Sequence, residues 1–240
     1  MSVLNEMFDH IYVINLKHRT DKMEYFDNNA KKIGLTYTRF EAQNHDDVKA
    51  MYPDAEYKDA KSLGKMGCMM SHREITRMAL ENNWDRVLIF EDDIKFDNNF
   101  EEQFRLAKNE LEEKFNDWNF LQLGNFSWSS KKGQMKKTPV GDYWSRFQFS
   151  YGTGCHALEK SAYEIFINFC NRCMYKHIDI FLSSSGFYVA KGIRSYMLTG
   201  NVLKKRLMKQ GSVGKSDVNG LQKAPEYGTE EFKSGKLFKH

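Results

Sequence analysis

Three consecutive acids after an apolar run are the residues of this sequence best suited to chemistry. Residues 87 to 90 are typical of a buried strand, and Glu91, Asp92 and Asp93 follow at once. Carboxylates so close together repel one another, which costs free energy unless a cation neutralises them. Mg²⁺ and Mn²⁺ are hard cations that bind carboxylate oxygens and keep positions open for phosphate. The cluster indicates a divalent-cation site for a diphosphate, and a solvated acidic turn is the alternative.

A second group of polar residues follows the first predicted strand, which covers residues 11 to 16. Asn15, Arg19 and Asp21 lie at or just beyond its end, where ligands bind in sheets of parallel strands. Arg19 could donate two hydrogen bonds to a phosphate. A surface arginine after a strand is the alternative.

Ser71 and His72 begin a third candidate group. Gly67 precedes a segment with helical spacing, so we expect Ser71 and His72 near the first turn of a helix. The free N–H groups and the dipole at such an end favour anions. A capping role for Ser71 and a buried structural role for His72 are the alternatives.

The elements that must position these residues alternate between strand and helix. Strands are predicted at residues 11–16, 36–40, 87–90, 120–123, 155–158 and 193–198, and helices at 23–33, from beyond Gly67 to about 82, at 100–115 and at 162–170. Residues 44–63 are predicted to be irregular, and 125–150 to form a long loop or hairpin. This alternation predicts an α/β fold with a mostly parallel central sheet flanked by helices.

Length and composition fit one domain. We expect residues 1–217 to form it and residues 218–240 to be a polar C-terminal tail. The net charge of +4 is too small to predict nucleic-acid binding. No apolar run approaches the roughly 18 residues of a membrane span, and the N-terminus does not resemble a signal peptide. We therefore expect a cytoplasmic protein, bacterial or, if viral, in the host cytoplasm or associated with the virion.

Four cysteines occur, and reduced thiols are expected. Cys170 and Cys173 form a lone C-x-x-C on the apolar face of a predicted helix. No second pair follows at zinc-finger spacing, so core packing is favoured over a metal or redox role.

Several ordered blocks resemble glycosyltransferase family 25, which includes bacterial lipooligosaccharide galactosyltransferases and collagen hydroxylysine glycosyltransferases. The blocks are residues 11–16 with Arg19 and Asp21, 40–42, 67–72, 88–93, 118–124, 151–154 with 160–162, 178–179 and 210–217. The resemblance implies a GT-A-type, Rossmann-like domain that moves galactose or glucose from a UDP-sugar to a hydroxyl acceptor with Mn²⁺ or Mg²⁺. The acceptor would be a collagen-type (galactosyl)hydroxylysine or another glycan.

The resemblance also implies roles for residues. Asp93 would ligate the metal, and Glu91 would reach the metal or the ribose. Asp217 is the third metal ligand that we predict, with His177 and Asp179 as alternatives. Asp179 would also be the catalytic base if the reaction inverts the anomeric centre. The predicted cofactor-binding residues are Asn15, Arg19, Asp21, Ser71, His72, Glu91, Asp92, Gly124, Gly152, Thr153, Gln210 and Ser216.

Aromatic residues of the predicted long loop are further candidates. Trp128, Tyr143 and Trp144 could stack on a sugar face, although loop aromatics more often fix a loop to the core. Two positions depart from the family pattern: Cys155 with His156 replaces a more usual aromatic, and Lys22 replaces a common arginine.

Two other functions compete with sugar transfer. A non-catalytic module could bind a nucleotide or glycan on the same fold, although an intact acid cluster argues against it. A metal-dependent phosphotransfer enzyme could use the same acids, but the first predicted strand ends at Asn15 and Leu16 without a nucleophilic aspartate.

Overall fold

A mixed β-sheet with helices on both faces forms the frame of the protein. The computed structural model describes residues 1–53, 60–124, 137–147, 153–172, 178, 193–199 and 207–210. The helices are α1 Val3–Met7, α2 Thr20–Lys32, α3 His45–Met51, α4 Ala60–Glu81, α5 Phe100–Lys114 and α6 Tyr163–Arg172. The strands are β1 His10–Asn15, β2 Thr38–Glu41, β3 Arg86–Glu91, β4 Ile94–Phe96, β5 Phe120–Gly124, β6 Lys137–Pro139, β7 Trp144–Phe147, β8 Cys155–Glu159, β9 Ser195–Leu198 and β10 Met208–Gln210.

Within the described residues the main sheet has eight strands, in the order β2-β1-β3-β8-β5-β9-β7-β6. β1 is parallel to β2 and β3, and β5 is parallel to β9. β8 lies between β3 and β5 and is antiparallel to both, and the β6–β7 hairpin adds an antiparallel edge. The predicted α/β class with a helix-flanked sheet is confirmed, and the observed sheet combines parallel and antiparallel pairs.

Strand β3 is the centre of the core. Its residues 87 to 90 are completely buried. Leu88 and Phe90 pack on the face covered by α2 and α5, whereas Val87 and Ile89 pack on the face covered by α4 and α6. Because both faces of the strand are covered, its sequence is continuously apolar.

Helix α4 begins at Ala60, so the prediction that it starts beyond Gly67 is wrong. A Cβ atom at Gly67 would lie 2.3 Å from the carbonyl oxygen of Gln43, so only glycine permits this close approach. Gly67 therefore lies inside the helix, where it allows close packing, and does not mark the start of the helix. Residues 44–63, predicted to be irregular, contain α3 and the start of α4.

Residues 125–150 are predicted to form a long loop or hairpin whose aromatic side chains could stack on a sugar, and the structure describes residues 137–147 of this range. Here the chain forms the β6–β7 hairpin. Trp144 is completely buried, and its indole Nε1 donates to the Ala107 carbonyl at 2.7 Å. Trp144 thus fixes the hairpin to α5 and does not present a face for a sugar. Trp128 lies outside the described residues.

No helix in the described ranges is both long and apolar enough to cross a membrane. Cys68, Cys155 and Cys170, all in described elements, form no disulfide. Cys170, on α6, is buried in the core, which agrees with the predicted packing role.

Glu110 of α5 connects this helix to the hairpin turn. Its buried carboxylate accepts hydrogen bonds from the backbone N–H groups of Asp142 and Tyr143, each at 2.8 Å. We expect Glu110→Ala to lower the free energy of unfolding by about 1–3 kcal/mol, because two backbone donors lose their acceptor. Chemical denaturation monitored by circular dichroism measures this change.

The matched control is Glu113→Ala, since Glu113 is exposed on the same helix. We expect its effect to stay within about 0.5 kcal/mol. Equal stability of the Glu110→Ala variant and the wild type would show that the carboxylate does not hold the hairpin.

Candidate functional site

A pocket of about 540 Å³ opens where β1 and β3 end. This volume falls within the range of about 300–1,000 Å³ that is usual for small-molecule sites. The pocket is lined by Ile14, Leu16, His18, Lys22, Ala42, Gln43, Asn44, His45, Asp46, Gly64, Cys68, Glu91, Asp92 and Asp93. All three members of the acid cluster therefore face one cavity, at the strand ends where a ligand was expected.

Asp92 is the most deeply buried of the three acids and is held by two partners. Asn15 Nδ2 donates to Asp92 Oδ2 at 2.7 Å, and Lys22 Nζ lies 3.5 Å from Asp92 Oδ1. Burial raises the pKa of Asp92 above its ordinary value, while Lys22 and Asn15 act in the opposite direction. Asn15 is itself fixed, because its Oδ1 accepts from Arg39 Nη2 at 2.6 Å.

Glu91 is held from the opposite side, by residues that precede β8. Because β8 is antiparallel to β3, its first residue Cys155 pairs with Phe90. The residues before Cys155 therefore reach Glu91. The backbone N–H of Glu91 donates to the Gly154 carbonyl at 2.9 Å, and the Thr153 hydroxyl donates to Glu91 Oε1.

The environment of Glu91 favours the ionised carboxylate. Burial by itself raises the pKa of Glu91, but the imidazole of His72, together with Thr153 and Lys22, outweighs burial and lowers the pKa below its ordinary value. His72 Nε2 lies 3.7 Å from Glu91 Oε1. An ionised Glu91 on the pocket wall is suited to bind a cation.

Two sets of described side chains could hold a metal ion. Glu91 and Asp93 offer carboxylates on the pocket wall. Cys68, His72 and Glu91 offer a sulfur, a nitrogen and an oxygen that all lie within 4.8 Å of one another. Glu91 belongs to both sets.

Arg19 and Asp21 are not among the residues that line the pocket. Arg19 makes two hydrogen bonds to the Asp21 carboxylate, each 2.8 Å long, and this pairing lowers the pKa of Asp21 to about 2. The backbone carbonyl of Arg19 accepts from Asn15 Nδ2 at 3.0 Å. The predicted phosphate contact of Arg19 thus has no support from this geometry, and the turn contributes to the site through Asn15.

Ser71 and His72 lie in the middle of α4, so the expected anion site at a helix N-terminus is wrong. The backbone N–H groups there are already used inside the helix. Ser71 Oγ donates to the Gly67 carbonyl at 2.7 Å and accepts from the Gln43 N–H at 2.9 Å. Ser71 therefore anchors a pocket loop, while His72 reaches Glu91.

The remaining predicted residues fall into two groups. Gly124 packs closely inside the sheet, where a Cβ atom would lie 3.0 Å from Cys155 Cβ, and the backbone of Gln210 pairs with Ile94 in the two-stranded β4–β10 sheet. Gly124 does not line the pocket. Gly152, His177, Asp179, Ser216 and Asp217 lie outside the described residues.

Sequence reasoning missed one wall of the pocket and one potential ligand. Residues 43–46 line the pocket, and 44–46 of them begin the segment that is predicted to be irregular. Cys68 lies in the block 67–72, and no role of its own is predicted for it from the sequence. Its spacing of four residues from His72 puts both side chains on one face of a helix, and that signal could have identified the pair.

Comparison with known proteins finds a family model that matches most of the chain and relatives that match parts of it. The family model "Glycosyltransferase family 25 (LPS biosynthesis protein)" matches residues 8–201. Procollagen galactosyltransferase 1-A of Xenopus laevis is 31% identical over 131 residues, which cover 49% of this chain and 21% of that protein. A glycosyltransferase 25 family member of Drosophila pseudoobscura pseudoobscura is 35% identical over 101 residues, covering 37% of this chain and 16% of the relative. The chain thus spans about a fifth of the length of these relatives.

Solved structures resemble the chain only distantly. A glycosyltransferase involved in the glycosylation of the major capsid of PBCV-1 has a TM-score of 0.48 at 12% identity, covering 87% of this chain and 94% of the other. The inositol-1-phosphate CTP transferase of T. maritima has a TM-score of 0.46 at 13% identity, covering 85% and 89%. These similarities are too weak to support a functional comparison.

The pairing of Lys22 with Asp92 generates a prediction. Lys22→Met removes the ammonium group that opposes the effect of burial, so we expect the pKa of Asp92 to rise further. A titration of the Asp92 carboxyl carbon by NMR measures this change.

The same substitution should change how stability depends on pH. When the pKa of a group is higher in the folded than in the unfolded state, the group stabilises the fold. Its contribution to the free energy of unfolding is complete below the unfolded-state pKa and is lost as pH rises through the folded-state pKa. Lys22→Met should therefore lose more stability than the wild type between acid and neutral pH. Lys31→Met, at an exposed position of the same helix, is the control. An unchanged Asp92 pKa in the Lys22 variant would refute the electrostatic role.

Proposed function

Because the chain belongs to glycosyltransferase family 25, we propose that it transfers galactose or glucose from a UDP-sugar to a hydroxyl acceptor. The observation that carries the proposal is the row Glu91, Asp92 and Asp93, all of which line one pocket at the end of β3. The volume of about 540 Å³ suits a small-molecule ligand such as a nucleotide sugar.

The residues at the pocket fit a hard divalent cation, Mn²⁺ or Mg²⁺. Glu91 and Asp93 line the wall, and the environment of Glu91 favours its ionised form. Carboxylate oxygens are the ligands that these cations prefer. A bound cation would offset negative charge on the departing diphosphate. Asp217, which lies outside the described residues, stays our proposal for a further ligand.

Asp92 has a different role in this proposal. Its carboxylate is buried, hydrogen-bonded by Asn15 and ion-paired with Lys22. We therefore assign it to positioning: it holds Lys22 on the pocket wall and fixes the turn that carries Asp93. Lys22 then places a positive charge on the wall of the cavity that receives the diphosphate.

The proposed acceptor is inferred from the names of the relatives. Proteins named procollagen galactosyltransferase match half of this chain, which supports a collagen-type hydroxylysine, its galactosyl form or another glycan as acceptor. Asp179 is our proposed base for an inverting reaction. Gln210 and Ser216 are proposed to contact the donor.

The test is hydrolysis or transfer from UDP-galactose and UDP-glucose by the purified chain with Mn²⁺, measured as UDP release. We expect Asp93→Asn to lower the rate by a factor on the order of 10² or more, because a preorganised charge at the reacting diphosphate is weakened. Chelation with EDTA should give a comparable loss.

Asp85→Asn is the matched control, because Asp85 is exposed at the opposite end of the same strand region. It should retain the wild-type rate. Full activity in EDTA would refute the metal role. UDP binding by calorimetry without turnover of any donor would favour a non-catalytic module, and release of phosphate from phosphomonoesters would favour a phosphotransfer enzyme.

A further inference from the structure

His72 is a buried polar side chain whose two ring nitrogens make no hydrogen bond to the described residues. It is completely buried, and neither imidazole nitrogen has a hydrogen-bond partner in the described part of the chain. Buried polar groups are nearly always hydrogen-bonded, because a missing partner costs free energy. His72 Nε2 lies at ion-pair distance from Glu91, and both imidazole nitrogens can still take a partner that completes the missing contacts.

The surroundings of His72 identify the kind of partner. Cys68 lies one helical turn earlier on α4, so its thiol points to the same side of the helix. Glu91 approaches from the end of β3. The Cys68 sulfur, a His72 nitrogen and a Glu91 carboxylate oxygen all lie within 4.8 Å of one another.

The distance between two of these atoms is longer than a direct hydrogen bond and leaves room for an ion to bridge them. His72 Nε2 and Glu91 Oε1 are 3.7 Å apart. A hydrogen bond would require about 2.7–3.2 Å. Two ligand atoms that are each about 2.0–2.1 Å from one tetrahedral ion lie about 3.4 Å apart. The observed separation is close to the second value.

We propose that Cys68, His72 and Glu91 form a three-ligand site for a borderline-soft divalent cation, Zn²⁺, on the wall of the pocket. Thiolate and imidazole ligands favour Zn²⁺, whereas Mg²⁺ and Mn²⁺ prefer oxygen. Binding deprotonates the Cys68 thiol, and that proton goes to the solvent. Cys68 and Glu91 both line the pocket, which gives the ion a path of entry and leaves a fourth coordination position accessible.

The neighbouring histidine is compatible with a cation at this position. The ring of His156 stacks on that of His72, with centroids 4.9 Å apart and an angle of 26° between the planes. The stacked ring makes no hydrogen bond to the nitrogens of His72, so it does not occupy the atoms that would bind an ion.

This site differs from the proposed hard-cation site, which uses Glu91 with Asp93. The two share one carboxylate but differ in their other ligands and in the metal they select. The zinc proposal does not depend on sugar transfer, because it concerns ion binding alone. Its test needs neither a donor nor an acceptor.

The test uses Co²⁺ as a spectroscopic substitute for Zn²⁺. The chelator-treated, reduced full chain is titrated with Co²⁺, and absorption is recorded. Co²⁺ bound to a thiolate gives a near-ultraviolet charge-transfer band, which oxygen ligands do not give. We expect one equivalent of Co²⁺ to develop this band, Zn²⁺ to remove it by displacement, and excess Mg²⁺ to leave it unchanged.

Variants then assign the ligands. Cys68→Ser should abolish the band, and His72→Gln should weaken Co²⁺ binding at least about tenfold. Cys170→Ala, which removes a buried thiol of α6, and Asp93→Asn should both keep the band. Circular dichroism confirms that each variant is folded, and Zn²⁺ should raise the melting temperature of the wild type but not of Cys68→Ser.

Three results would overturn the proposal. They are the absence of the band in the wild type, its persistence in Cys68→Ser, and its loss in Asp93→Asn. The last result would show that the ion belongs to the carboxylate cluster. None of these results depends on whether the chain transfers sugar.

Discussion

Like charges crowd together at the end of a buried strand, and the surrounding structure is arranged to stabilise them. Glu91, Asp92 and Asp93 are consecutive, and Asp92 is almost fully buried. A buried carboxylate is stable only when donors or opposite charges face it. Asn15 and Lys22 provide these for Asp92, and each comes from a different element: the end of β1 and the first turn of α2. The cluster therefore links the first βα unit to the centre of the sheet.

The neighbouring carboxylate is stabilised by a different part of the chain. Glu91 is reached by Thr153 because β8 enters the sheet antiparallel to β3, and by His72 because α4 packs across that strand. Adjacent residues of one short turn thus have separate sets of partners. Because of this division, Asp92 supports the structure while Glu91 faces the pocket. Glu91 lies between the carboxylate of Asp93 on one side and the sulfur of Cys68 and the nitrogen of His72 on the other.

The sequence predicted the features that follow from local patterns. The apolar run before Glu91 identified β3, because a strand covered on both faces has no polar alternation. The same reasoning placed the acids and Asn15 at one edge of the sheet. The direction of β8 could not be read in this way, because a five-residue strand has the same pattern in either direction.

The errors around Gly67 have a physical reason as well. Glycine usually weakens a helix, so it was interpreted as a boundary. In the structure it is required by a contact with Gln43, which is distant in sequence and therefore invisible to local pattern. Misplacing the start of the helix also concealed the relation between Cys68 and His72. The roles of Asp179 and Asp217 stay predictions, since both lie outside the described residues.

The contact at Gly67 has a consequence for ligand affinity. Gln43 begins the pocket wall formed by residues 43–46, and Gly67 and Ser71 fasten it to the middle of a long helix. This wall is preorganised, so a ligand that contacts it loses little additional conformational entropy on binding. A side chain at position 67 would loosen the wall and would appear in kinetics as a raised KM with little change in kcat, although Gly67 does not line the pocket.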